Sequence, residues 1–206
     1  MTELEIETPH GPARAHLHPA DEPRAALILG HGAGGGVTAP DLVAVTATAA
    51  GERVSVALVE QPYRVAGRRA PAPSRQLDAA WTAVVEQLRT GALGGLPLIA
   101  GGRSLGARVA CRTAEVTGAA GVVCLAFPLL PPRRGKPPQS RLPELEAVTV
   151  PVLVVQGERD RFGIPQESAT RRVVLVSGDH SLRTDPEAVA AAVRDWLPSM
   201  LAHTGT

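Results

Sequence analysis

Leu98-Ile99-Ala100-Gly101-Gly102-Arg103-Ser104-Leu105-Gly106 is the stretch on which the reading of this chain turns. It opens as an apolar run, turns through glycines, and passes into a helical pattern from Leu105 to Thr117, with Gly118 suited to the left-handed residue just past its end. In a chain with 21 glycines, Gly-x-Ser-x-Gly alone carries little weight. Its setting carries more. A strand that runs into the motif and a helix that leaves it make a sharp turn, which lifts the Ser104 hydroxyl above the sheet. Such a turn needs small residues beside the serine, and Gly102 and Gly106 supply them. The helix N-terminus beneath favours negative charge nearby. A glycine-rich turn with an incidental serine is the plainer alternative.

Working outward, short apolar runs alternate with longer helical patterns. Leu4 to Thr8 and Ala13 to His18 flank the turn Pro9-His10-Gly11-Pro12 and read as an antiparallel hairpin. Ala25 to Leu29 is continuously apolar, as expected of a strand covered on both faces, and Val54 to Val59, Pro97 to Ala100, Gly121 to Ala126, Val150 to Val155 and Arg172 to Val176 read the same way. Helices are expected over Asp41 to Ala50 and over Arg75 to Thr90, where Leu77, Trp81, Val84, Val85 and Leu88 share one face. The last helix starts with Asp185 as N-cap and Pro186 in its first turn, and Val189, Val193, Trp196, Leu197 and Met200 form its apolar stripe. Strands alternating with helices imply parallel strands joined by right-handed crossovers. The expected class is α/β: an eight-stranded, mostly parallel sheet with helices on both faces, in one domain over residues 1–206. The proline-rich stretch Pro128 to Pro143 reads as an irregular excursion within it.

A serine hydroxyl needs a base. Of six histidines, His10, His16 and His18 lie in or near the hairpin, and His203 is in the tail; these read as surface residues. His180, in Ser177-Gly178-Asp179-His180-Ser181-Leu182, follows the last strand at the carboxyl edge where Ser104 is expected. A solvent-exposed loop histidine is its alternative. The base needs an acceptor for its second ring nitrogen. Asp160 follows the strand ending Gln156-Gly157-Glu158-Arg159, with Glu158 and Asp179 as competitors. The chain order is then Ser104, Asp160, His180, and a parallel sheet would bring all three to one edge.

Acyl transfer also needs donors for an oxyanion. The Leu105 amide is one candidate. The other lies in Gly30-His31-Gly32-Ala33-Gly34-Gly35-Gly36, where the Ala33 amide is nominated, with Gly34 as the alternative donor and a substrate-binding candidate. His31 reads as a residue that shapes this loop. A phosphate cradle is the competing reading, but no Lys-Ser/Thr pair follows and the glycine spacing differs from a dinucleotide fingerprint. Arg103 and Arg108 flank the turn. They either attract an anionic substrate, with Arg103 the substrate-binding candidate, or pair with nearby acids.

Composition narrows the classes. The chain has 206 residues, is 44% hydrophobic and 20% charged, and carries a net charge of +1. That balance argues against a nucleic-acid surface, and with only five aromatic residues no base-stacking platform is expected. The basic cluster Arg133-Arg134-Gly135-Lys136 between proline pairs reads as a solvated loop rather than a phosphate patch. Cys111 and Cys124 lack metal-ligand spacing and read as buried thiols. The acidic N-terminus is unlike a signal peptide, and no apolar run approaches the ~20 residues that span a bilayer. A cytoplasmic protein with no membrane or nucleic-acid partner, no cofactor and no metal is expected; the oligomeric state stays open.

These residues resemble the α/β-hydrolase superfamily over nearly the whole chain. The His31-Gly32 loop, the strand–turn–helix around Ser104, Gln156-Gly157-x-x-Asp160 and Gly178-Asp179-His180 follow one another in the superfamily's order. Gly101-Gly102-Arg103-Ser104-Leu105-Gly106-x-Arg108 with Asp160-Arg161-Phe162-Gly163 is similar to a branch containing testis-expressed hydrolase-like proteins and a hydrolase-like subunit of a histone acetyltransferase complex. Dienelactone hydrolases are similar as well, but carry a cysteine where this chain has Ser104. In the superfamily a lid usually follows the sixth strand. Phe127 to Thr149 is short for one, so the resemblance implies no folded lid and an open, shallow site. It implies a serine hydrolase, of esterase or thioesterase type, acting on a small acyl substrate. A quiet binding or scaffold protein is the alternative, and a lyase or perhydrolase using the same residues is a third.

Overall fold

The computed structural model describes residues 1–132, 135 and 137–202. The basic cluster at 133–136, apart from Gly135, and the tail histidine His203 lie outside the described residues. Strands Thr2–Ile6 (β1) and Ala13–His18 (β2) form the antiparallel hairpin, pairing Thr2 with Leu17 and Ile6 with Ala13. The first strand starts and stops two residues earlier than Leu4 to Thr8. The Thr8 hydroxyl bonds the Gly11 carbonyl at 2.6 Å, which draws that end of the strand into the turn.

The remaining strands are Ala25–Gly30 (β3), Val54–Glu60 (β4), Leu98–Arg103 (β5), Gly121–Leu125 (β6), Val152–Gly157 (β7) and Arg171–Val176 (β8). The sheet order is β1-β2-β4-β3-β5-β6-β7-β8, with β3 to β8 parallel. The chain goes from β3 outward to β4 and then back past β3 to β5. The carboxyl ends of β3 and β5 are therefore a topological switch point, where crossovers diverge and leave a crevice.

Helices Pro40–Gly51 (α1), Pro62–Val65 (α2), Ser74–Thr90 (α3), Leu105–Thr117 (α4), Leu142–Glu146 (α5) and Pro186–Ala202 (α6) complete the chain. On one face α3 and α4 cover the sheet through Leu77, Trp81, Val84, Val109 and Ala110. On the other, α1 and α6 bury Leu42, Val45, Val193, Trp196 and Leu197. Gly118 closes α4 in the left-handed region at φ 62, ψ 38. Asp185 caps α6 by accepting the Ala188 amide at 2.9 Å.

Three further features differ from the sequence expectations. β8 is an edge strand: Arg172 and Leu175 are exposed, so it is not covered on both faces as its apolar run suggested. The short helices α2 and α5 were not anticipated, although each carries a proline in its first turn, Pro62 and Pro143. His16 is no bare surface residue, because it is half-buried between Glu60 at 3.1 Å and Glu3 at 3.6 Å. Between β6 and β7, the described residues form only α5, and no folded lid stands there. Among the described residues, no helix is long and apolar enough to cross a membrane.

Candidate active site

Ser104 sits between β5 and α4 with φ 51 and ψ −102, a conformation that costs a non-glycine residue about 1–3 kcal/mol. Its surroundings hold it there. The Ser104 amide donates to the Leu125 carbonyl at 2.8 Å, and the Gly106 amide donates to the His31 carbonyl at 3.1 Å. The turn also packs directly on the end of β3. A methyl group on Gly106 would lie 2.3 Å from the Gly30 carbonyl oxygen, and one on Gly102 would lie 2.5 Å from it. The two glycines are therefore a packing requirement of this turn.

His180 lies in the loop after β8, and its Nε2 stands 2.9 Å from Ser104 Oγ. On the other side, His180 Nδ1 stands 2.7 Å from Asp160 Oδ2. The Asp160 carboxyl is wholly buried. Its Oδ2 also accepts from Gln156 Nε2 at 2.7 Å, and its Oδ1 accepts the Phe162 amide at 2.9 Å. The competitors stand elsewhere. Glu158 is exposed. Asp179 accepts the Ser181 amide at 2.8 Å and the Ser181 hydroxyl at 2.6 Å, and these bonds lower its pKa.

Two residues present in the sequence motifs, but given no role there, complete the arrangement. Gln156, fully buried on β7, accepts the Phe127 amide at 2.9 Å and donates to the Phe127 and Gly163 carbonyls, each at 3.0 Å. It ties the loop after β6 to the loop that carries Asp160. The ring of Phe162 stands edge-on to His180, with centroids 4.3 Å apart, and covers one side of the imidazole.

The glycine-rich loop after β3 adjoins the serine: a methyl group on Gly32 would lie 3.7 Å from Ser104 Cβ. His31 is buried, with Nδ1 at 2.8 Å from the Gly32 carbonyl and Nε2 at 3.2 Å from the Gln61 amide. Only a neutral ring carrying its proton on Nδ1 satisfies both contacts. Burial, the largest influence, lowers the His31 pKa below 6.5 accordingly. Tyr63, on α2, donates its hydroxyl to the Ala33 carbonyl at 3.1 Å, and burial pushes its pKa up to about 12. Amide and carbonyl of a trans peptide point in opposite directions. Holding the carbonyls of Gly32 and Ala33 therefore orients the amides of Ala33 and Gly34.

Arg103 is engaged within the protein on several sides. Nη2 donates to the His180 carbonyl at 2.8 Å, and Nε lies 3.1 Å from Asp41 Oδ2 in an ion pair that lacks hydrogen-bond alignment. A methyl group on Gly32 would come within 2.8 Å of Nη1. The Asp41 carboxyl is wholly buried on α1; that burial raises its pKa, and Arg103 opposes the rise. Arg108 pairs with Glu144 through both oxygens, at 2.9 and 2.6 Å. The arrangement offers a hydroxyl, an imidazole and a carboxylate in line, with oriented amides beside the hydroxyl. Such a set can relay a proton and stabilise an oxyanion.

Residues 23–194 match a family model described as an alpha/beta hydrolase domain. By sequence, no curated protein matches the chain. An alpha-beta serine hydrolase homologue from Coxiella burnetii superposes with a TM-score of 0.78 at 15% identity, covering 95% of this chain and 97% of that one. A dienelactone hydrolase from Anabaena variabilis gives 0.74 at 14% identity, covering 98% and 96%. An alpha/beta serine hydrolase without a lid from Xanthomonas campestris gives 0.70 at 19% identity, covering 96% and 95%. At such identities the likeness speaks to the fold alone.

Proposed function

The chain belongs to the alpha/beta hydrolase domain family, and we propose that it is a serine hydrolase of esterase or thioesterase type that works through an acyl-enzyme on Ser104. The observation that carries this reading is the His180 ring lying between Ser104 Oγ at 2.9 Å and Asp160 Oδ2 at 2.7 Å. In the proposed mechanism His180 Nε2 takes the Ser104 proton as Oγ attacks the acyl carbon. The carbonyl oxygen becomes an oxyanion held by the Leu105 and Ala33 amides, with the Gly34 amide beside them. His180 then passes its proton to the departing alcohol or thiol, leaving the acyl group on Ser104. Water repeats the sequence, giving a proton to His180 and its oxygen to the acyl carbon, and Ser104 recovers the proton as the acid departs. Asp160 stabilises the transient imidazolium and fixes the ring's tautomer.

Arg103 acts in this scheme as a positioning residue, since its contacts run to Asp41 and to the backbone of His180. The missing lid favours small or exposed acyl groups over long lipids. We place the reaction in the cytoplasm, where the free thiols of Cys111 and Cys124 would persist. A fluorophosphonate probe tests the reading. Labelling of the wild type at Ser104, lost in Ser104→Ala together with hydrolysis across an ester and thioester panel, is expected. A folded protein whose Ser104 resists the probe would instead be a binding or scaffold member of this fold.

A further inference from the structure

We propose that Arg141 and the groove it lines form a subsite for a carboxylate on the far end of the acyl substrate, a proposal that rests on the serine hydrolase reading. The groove encloses about 410 Å³ and is walled by Arg108, Pro131, Pro132, Ser140, Arg141 and Glu144. Its charges are unevenly matched. Arg108 is bound by both Glu144 oxygens, and Arg112 by both Asp78 oxygens at 2.9 and 2.5 Å, with Glu144 a further 3.4 Å contact. Two guanidinium groups and two carboxylates therefore balance. Among the described residues, Arg141 is the surplus cation. It is half-buried, and among the described residues its guanidinium has no hydrogen bond or ion pair.

Burial, and after it the Arg108 guanidinium, holds the Arg141 pKa down to about 10, so the side chain is charged at neutral pH yet poorly compensated. One surplus planar cation suits a carboxylate, which it can bind through two parallel N–H bonds. Pro131, Pro132 and Pro143 in the wall each fix their own φ.

The walls of the groove are hydrogen-bonded to the segments that carry the serine and the histidine. Arg108 lies one turn of α4 past Ser104, about 5.4 Å along the helix, and its amide donates to the Ser104 carbonyl at 3.2 Å. On the opposite side the Arg141 amide donates to the Leu129 carbonyl at 2.9 Å, and the Leu130 amide to the Phe162 carbonyl at 2.6 Å. Phe162 in turn faces His180. Exposed Leu130, whose amide is bonded to Phe162, offers apolar contact to a short methylene chain.

The test uses the full chain and aryl hemiesters of succinate, glutarate and adipate, each beside its neutral methyl ester and a phosphonate-ended analogue. We expect the wild type to prefer one of the hemiesters over its methyl ester in kcat/KM. Arg141→Gln should lower that preference about tenfold or more, mainly through KM, and Arg141→Lys should lower it less. Absence of the preference, or its survival in Arg141→Gln, overturns the proposal. So does a stronger, Arg141-dependent preference for the phosphonate. If the fluorophosphonate probe leaves Ser104 unlabelled and no ester is cleaved, the hydrolase reading fails on its own. Calorimetry with methyl hydrogen glutarate then decides the groove: binding weakened by Arg141→Gln upholds it, and no binding overturns it.

Discussion

Arg103 holds the backbone of His180: its Nη2 donates to the His180 carbonyl at 2.8 Å from the residue immediately before Ser104. The side chain that precedes the serine thus fastens the loop that brings the imidazole. Asp41 anchors that guanidinium from α1, through a carboxyl with no solvent exposure.

Arg103→Met should therefore affect both stability and turnover. Removing one partner of a buried pair costs about 3–5 kcal/mol, and the partial exposure of Arg103 places the expected loss near the lower value. Asp41 already has its pKa raised by burial, and without Arg103 it should rise further. A carboxyl bound more tightly to its proton in the folded state stabilises below its unfolded pKa, and that contribution fades as pH rises through the folded value. The loss should thus deepen from acid toward neutral pH in urea titrations. Adding Asp41→Asn should restore part of the stability but not kcat, because the His180 carbonyl remains unheld.

Tyr63→Phe removes one hydroxyl, the donor to the Ala33 carbonyl. The loop keeps its His31 contact, so the protein should fold. Loss of an oxyanion donor outright costs about 10²–10³ in rate; the Ala33 carbonyl shares its peptide with the Gly34 amide beside the donor pair, so loosening it should cost at most about tenfold in kcat with KM little changed. Steady-state kinetics on one activated ester would check this.

His31 sets an acid limit on stability. Its folded pKa lies below 6.5 because the ring is buried, so the unfolded chain takes up a proton first as pH falls. The stability this ring contributes is full above about pH 6.5 and is lost as pH drops toward the folded value. His31→Gln, which cannot titrate, should show a flatter stability profile over that interval. An equal slope in both proteins would remove His31 from the account.

Gly106→Ala should prevent the native fold from forming. Its added methyl group would lie 2.3 Å from the Gly30 carbonyl oxygen, and both partners are backbone. Gly36→Ala is the control, since open space surrounds that position and near wild-type stability is expected. Circular dichroism and thermal melting distinguish the two.

Local patterning reveals much of this molecule and misses what tertiary contact decides. The buried strands are visible as apolar runs, and the last helix is visible in Asp185 and Pro186, because those signals are local. The exposure of β8 is not visible, since whether a neighbour covers a strand depends on sheet order. Ser104, Asp160 and His180 can be nominated because each follows a strand. Gln61 and Tyr63 escape notice because their partners, His31 and Ala33, are 30 residues distant and meet them only through the β3–β4 register. Asp41 looks like an ordinary first-turn acid until its burial against Arg103 is seen. Arg141 likewise gains meaning only when its neighbours are found paired off.

The backbone of Ser104 is held at φ 51, ψ −102 by the bond of its amide to Leu125 and by the packing of Gly102 and Gly106 on the end of β3. Folding has met that strain in advance, so the hydroxyl has no reorientation left to make when an acyl compound arrives. Rapid mixing should then show product appearing without a lag, and the first turnover should begin as fast as any later one.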